Sequence, residues 1–242
     1  MILSLEEFSK RIEFSLAPHF LNEYEIEKAC IAAINSSVGV ICVNPNYTRF
    51  VKKLIGNKKI NLSTNIGFPW GTHNTEIKVM EAKKALSDGA NQLDMVINVG
   101  ALRSGKDKEV YSEIKSIVNI ANKDCIVKVI IETWVLNEGE KIRVCKLIQE
   151  AGAHMVKTTT GVKTQYIEAF CGKRKPKGAD LKDIKLLRKI LHPNIKIKAS
   201  GGVYTTEDVF KMIRAGADQF GVSKGIELIQ EFKEKYIKGV EL

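Results

Sequence analysis

The 242-residue chain contains no apolar run near the roughly 18–20 residues that a membrane-spanning helix needs. Its first residues, MILSLEEFSKRIEF, place Glu6 and Glu7 where a secretory leader would carry basic residues before an apolar stretch. No leader and no membrane partner are therefore expected, and the cytoplasm is the expected compartment. The five cysteines (Cys30, Cys42, Cys125, Cys145 and Cys171) are odd in number and show no CxxC spacing, which argues against a disulfide framework or a zinc site. His19, His73, His154 and His192 are scattered without ligand spacing, so no metal is indicated. A GxSxG pattern does occur at Gly221–Gly225. The hydrolases that use it need a later histidine, and none follows His192. No GxGxxG follows the first strand, which counts against a doubly wound dinucleotide-binding sheet.

Charge is plentiful, and unevenly placed. The net charge is +10, and residues 171–198 alone hold ten Lys/Arg against two Asp. A nucleic-acid-binding role through this basic segment is one reading. The segment has no Phe, Tyr or Trp on which bases could stack, and the charge is local, so small molecules are the expected partners.

The chain alternates between two hydrophobic periods. Ser4 followed by Glu7 marks a capping box for a short N-terminal helix over 4–10. Strands are expected at 12–16, 38–44, 59–67, 92–98, 125–133, 154–160, 196–202 and 219–223. Helices are expected at 22–35, 75–88, 107–122, 138–151, 180–191 and 206–215, with another after the last strand. SDGANQLDMV, EAGAHMVKTT and RAGADQFGVS repeat one element: a helix ending in Gly-Ala, then a strand. Eight βα units in a chain of this length predict an α/β fold, a (β/α)8 TIM barrel forming one domain over residues 1–242.

In such a barrel the site lies where the strands end, so strand-end polar residues are the candidates. They are Asp94 and Asn98, Lys128 and Glu132, Lys157 and Thr159, Lys198 and Ser200, and Ser223. Alternation puts Lys128, Ile130 and Glu132 on one strand face opposite Val127, Val129 and Ile131, and Asp94 on a face with Val96 and Asn98. Several charges thus point into the barrel, where an unpaired charge is costly. A structural ion network would satisfy them. Lysines on adjacent strands beside an aspartate also suit nucleophilic chemistry. A lysine attacks a carbonyl only as the neutral amine, and a second cation nearby favours that form. At about 7 Å and an effective dielectric of about 20, one such charge is worth roughly 2.4 kcal/mol. The glycine-rich turns ASGGV (199–203) and FGVSKG (220–225) precede helices, and together they form an expected anion site.

Taken in order, ICVNP (41–45), IGFPWG (66–71), TEIKVMEAKKAL (75–86), LDMVINVGAL (93–102), KVIIET (128–133), VKTTTG (156–161), KASGG (198–202) and FGVSKG (220–225) resemble the class I deoxyribose-phosphate aldolases over nearly the whole chain. The resemblance implies Lys157 as Schiff-base lysine, Lys198 as the lysine that perturbs it, and Asp94 as the proton-relay carboxylate. It implies phosphate binding at Gly201, Gly202, Gly221 and Ser223, with Thr159 a further substrate contact and Cys42 near the site without being required. The implied reaction is reversible cleavage of 2-deoxy-D-ribose 5-phosphate to acetaldehyde and D-glyceraldehyde 3-phosphate. The imine serves as electron sink, so no cofactor or metal is implied, and a homodimer or larger assembly is. Another lyase or isomerase acting on a phosphosugar, or a weakly active homologue, is the neighbouring reading. Four departures stand out. Glu13-Phe14-Ser15 replaces the family's Asp-His-Thr. A long basic stretch occupies 162–177. Lys224 stands in the last phosphate turn. No terminal tyrosine tail is present, Tyr236 lying short of the end.

Overall fold

The computed structural model describes residues 2–162 and 178–241. Eight parallel strands close into a barrel: β2 (Ile12–Leu16), β3 (Val40–Val43), β4 (Asn61–Ile66), β5 (Gln92–Val96), β6 (Ile126–Ile130), β7 (Met155–Lys157), β8 (Lys196–Ser200) and β9 (Gln219–Val222). Pairing of β9 with β2 completes the ring. All eight expected strands are present, each within the predicted range. Outside the ring, β1 (Ile2–Leu3) pairs antiparallel with β10 (Val240–Glu241), which ties the two ends of the described chain together.

Ten α-helices are described: α1 (Leu5–Arg11), α2 (Glu23–Asn35), α3 (Thr48–Ile55), α4 (Thr75–Ser87), α5 (Val99–Arg103), α6 (Asp107–Ile120), α7 (Glu138–Ala151), α8 (Leu181–Ile190), α9 (Thr206–Ala215) and α10 (Gly225–Lys235). Their ends follow capping chemistry. The Ser4–Glu7 box opens α1 as expected, and Asn137 with Glu140 does the same for α7. Gly152 and Gly216 stop α7 and α9 at φ 83° and 109°, a region that other residues rarely enter. The repeated Gly-Ala element is therefore this helix stop. Two helices escaped the sequence reading. Pro45–Tyr47 continues from a 3₁₀ turn into α3, whose Val51 and Ile55 face the core. Asn98 caps the five-residue α5 through the Ala101 N–H.

Strand alternation separates two interiors. Leu93 and Met95 of β5, Val127 and Val129 of β6, Val156 of β7 and Ile197 of β8 pack outward into a core shared with the helices. Each such buried aliphatic contributes about 1.5–3 kcal/mol. The intervening residues, Asp94, Lys128, Lys157 and Lys198, face the barrel lumen and are buried. In β2, Phe14 joins the outer core while Glu13 turns inward, so the phenylalanine costs the lumen no polar group. Tyr236 packs on Phe210 and Phe232 and donates to Glu207, which commits it to the helical layer. The basic stretch, apart from Val162, and Cys171 lie outside the described residues.

Candidate active site

The register of the barrel brings the site together. Asp94 pairs with Lys128 across β5 and β6, and Lys157 with Lys198 across β7 and β8. Asp94 then collects four contacts. Its Oδ2 lies 2.6 Å from Lys157 Nζ and 2.5 Å from Lys198 Nζ. Its Oδ1 accepts from Ser63 Oγ at 2.9 Å and lies 3.0 Å from Lys128 Nζ. Glu13 closes the network, with Oε2 2.5 Å from Lys128 Nζ and Oε1 paired to Lys198 Nζ.

Charge accounting distinguishes the three lysines. Lys128 and Lys198 each hold both carboxylates, whereas Lys157 holds only Asp94 and shares that oxygen with Lys198. Three ammonium groups face two carboxylates, so the cluster carries one excess positive charge when all are ionised. Burial opposes charge on Asp94, but Lys128, Lys157 and Lys198 outweigh it and hold the carboxyl well below its ordinary value. Burial and the Asp94 charge both raise Glu13, and the lysines again prevail and lower it. For Lys198, burial is overcome by Asp94 and Glu13, which hold the ammonium above the ordinary lysine value. These carboxylates favour the charged form of Lys198 beside Lys157.

Above this cluster opens a cavity of about 920 Å³, walled by the ends of the strands and the loops that follow them. Thr159, Gly201, Gly202, Gly221 and Ser223 line it. Lys157, Lys198, Asp94 and Cys42 lie deeper, in the lumen beneath its floor. Gly201 and Gly202 have φ of 79° and 74°, the left-handed region that favours glycine. Gly221 answers a different need. A Cβ there would meet Lys198 Cε and Ser200 Oγ, each at 2.9 Å.

The family profile described as DeoC/LacD family aldolase matches residues 9–230. The chain belongs to the DeoC/LacD family of aldolases. It is 41% identical to the deoxyribose-phosphate aldolase of Caldicellulosiruptor saccharolyticus, over 95% of this chain and all of that protein. A solved structure titled QR15, an aldolase, superposes with a TM-score of 0.86 at 34% identity, over 95% of this chain and 97% of that one. The tetrameric deoxyribose phosphate aldolase of Aeropyrum pernix superposes with a TM-score of 0.83 at 29% identity, over 95% and 92% of the two chains.

Against this aldolase background, three residues gain importance that the sequence reading left outside its chosen site. Glu13 and Lys128 complete the ion cluster. Glu132 reaches the cavity wall, where its carboxylate takes N–H groups from Thr160 and Trp134. Period-two alternation was the available signal for Glu13, which lies opposite Phe14 in β2. Ligand atoms of Glu13, Cys42 and Asp94 lie within 4.8 Å of one another, the spacing of a metal site. The donor set fits one poorly. Both carboxylates are engaged by ammonium groups, and burial, with Glu13 and Asp94 nearby, pushes the Cys42 thiol up to about 12. Among the described residues, no helix is long and apolar enough to cross a membrane.

Proposed function

We propose that this aldolase cleaves 2-deoxy-D-ribose 5-phosphate reversibly to acetaldehyde and D-glyceraldehyde 3-phosphate through an imine on Lys157. One observation carries the reading. Lys157 is the lumen lysine with a single carboxylate contact, in a cluster that becomes neutral when one amine loses its proton. Release of that proton costs Lys157 fewer ion-pair contacts than it would cost Lys128 or Lys198.

The neutral amine adds to the substrate aldehyde, and loss of water leaves an iminium. A proton then leaves the hydroxyl on the third carbon, the bond between the second and third carbons breaks, and its electrons enter the iminium. D-Glyceraldehyde 3-phosphate departs, leaving an enamine. Protonation of that enamine at carbon and hydrolysis release acetaldehyde and restore Lys157. Asp94, in contact with both Lys157 and Lys198, is the anion through which protons pass, with a water completing the path. The Gly201–Gly202 and Gly221–Ser223 turns hold the phosphate through backbone N–H groups. The electron sink is the iminium, and this sequence of steps requires no metal or cofactor. The same reading places the enzyme in the cytoplasm as a homodimer or larger assembly with small-molecule partners, and light scattering measures its mass.

Incubation with acetaldehyde and borohydride, followed by peptide mapping, tests the mechanism. An ethyl adduct on Lys157, absent in Lys157→Ala, is the expected result. An unmodified Lys157 would sink the proposal.

A further inference from the structure

Glu132 combines three features. It sits immediately after β6 with φ 54° and ψ 60°, a left-handed conformation adopted by only one other non-glycine residue among those described, Ser37. Its side chain is half-buried and reaches the cavity wall. Both oxygens are occupied: Oε1 accepts from the Thr160 N–H, and Oε2 accepts from the Trp134 indole N–H at 2.5 Å. Burial raises this carboxyl, with the Thr160 and Trp134 hydrogen bonds and the Lys157 charge opposing.

The two groups it grips come from adjacent loops. Thr160 belongs to the turn just past Lys157, whose other anchors are the Thr159 hydroxyl on the Ser200 carbonyl at 3.0 Å and the Gly161 N–H on Thr159 Oγ1 at 3.0 Å. Trp134 belongs to the 3₁₀ turn after β6, fastened to the same region by the Thr133 N–H on the Thr158 carbonyl at 3.0 Å. An acceptor with two free oxygens is what these two facing donors require, and a strained backbone is what delivers it there. Strain retained beside a cavity calls for a role.

We propose that Glu132 is a positioning residue of the aldolase site. It locks Trp134 and the Thr159–Gly161 turn into one wall, and that wall seats the part of the substrate beyond the carbon joined to Lys157. The inference rests on the Lys157 reading above and adds a division of labour to it. Lys157 is held by strand pairing on both sides and by Asp94 below. Loss of Glu132 therefore leaves the amine in place and loosens only the wall. Acetaldehyde, which extends one carbon past the imine, does not need the wall. The five-carbon phosphosugar does.

Glu132→Gln keeps the shape but sets an amide N–H₂ against one of the two donors. Two quantities are compared with wild type: the rate of borohydride-trapped adduct formation on Lys157 with acetaldehyde, and kcat/KM for 2-deoxyribose 5-phosphate. Trapping within about threefold of wild type is expected, with kcat/KM lower by about tenfold or more and most of the loss in KM. In a Trp70→Phe background, where Trp134 is the remaining tryptophan, its emission is expected to move to the red as the loosened wall admits water to the indole. Glu132→Asp, which keeps the charge but shortens the reach, is expected to show the same split and substitutes for the comparison if Glu132→Gln does not fold. Equal losses in trapping and cleavage, or no loss in either, overturn the positioning role. Absence of any wild-type adduct on Lys157 fails the aldolase reading itself, and the positioning role with it.

Discussion

Lys157 and Lys198 place their ammonium nitrogens on the same oxygen of Asp94, at 2.6 and 2.5 Å. Sharing one oxygen holds the nitrogens within about 5 Å of each other, about the spacing of the neighbouring strands that carry them. Two cations at that distance persist because Asp94 lies between them and Glu13 supports Lys198 from the other side. The arrangement holds the Lys198 ammonium against the amine of Lys157.

Lys198→Met removes that second cation. Borohydride-trapped adduct formation on Lys157 with acetaldehyde is expected to slow by about tenfold or more, and a trapping time course measures it. An unchanged rate would mean that Lys198 does not act on Lys157.

Glu13 and Asp94 make the folded protein sensitive to acid. Both are held below the ordinary values of 4.5 and 3.8, so the unfolded chain takes up protons first as the pH falls. Their contribution to stability is complete above those values and is lost as the pH falls through the lower folded ones. Denaturant unfolding followed from about pH 6 to about pH 3 is expected to show stability falling with acid, and Glu13→Gln to flatten the fall. At neutral pH the same substitution leaves buried ammonium groups short of a carboxylate and is expected to cost about 3–5 kcal/mol.

A second buried pair braces the cavity from outside the lumen. Lys78 Nζ donates to the carbonyls of Gly71 and Val96 at 2.7 and 2.8 Å and pairs with Glu113 at 2.5 Å. Glu113 in turn accepts the Asn98 N–H at 3.0 Å. Lys78→Ala strands a buried carboxylate and two carbonyls, and urea unfolding is expected to show a loss of about 3–5 kcal/mol. Because Phe68 and Trp70 lie on the tethered loop and line the cavity, KM for the phosphosugar is expected to rise as well.

Gly221→Ala addresses the lumen directly. The added methyl would press on Lys198 and Ser200, a crowding that typically costs about 1–3 kcal/mol. Displacement of Lys198 is expected to lower kcat by about tenfold or more, with only a modest change in melting temperature. Steady-state kinetics beside a thermal scan separates the two effects.

Much of this was legible in the residues. Alternation in CIVKVIIET sends Lys128 inward and Val127 and Val129 outward, because a strand has two faces and only one meets the helices. The Ser4 and Asn137 caps and the stops at Gly152 and Gly216 were equally local, and so were the helix ends they set. The α3 helix has a less local signal: a proline just past the strand expected at 38–44 suits a stop, yet Pro45 opens a turn that runs on into the helix. The β1–β10 pair left no local trace, since it joins two-residue strands from opposite ends of the chain.

By itself, then, the sequence determined the eight-stranded barrel, the helix ends, and the lysines and aspartate that point inward, since each depends on periodicity or on contacts a few residues apart. Only the tertiary structure decided which inward charges meet. Glu13 is 185 residues from Lys198, and Asp94 is 63 from Lys157. Closure of β9 onto β2 brings Glu13 beside the lysines, and the β7–β8 register sets Lys157 next to Lys198. That shared geometry leaves Lys157 with one carboxylate while its neighbours hold two, a difference that no local pattern in the chain could encode.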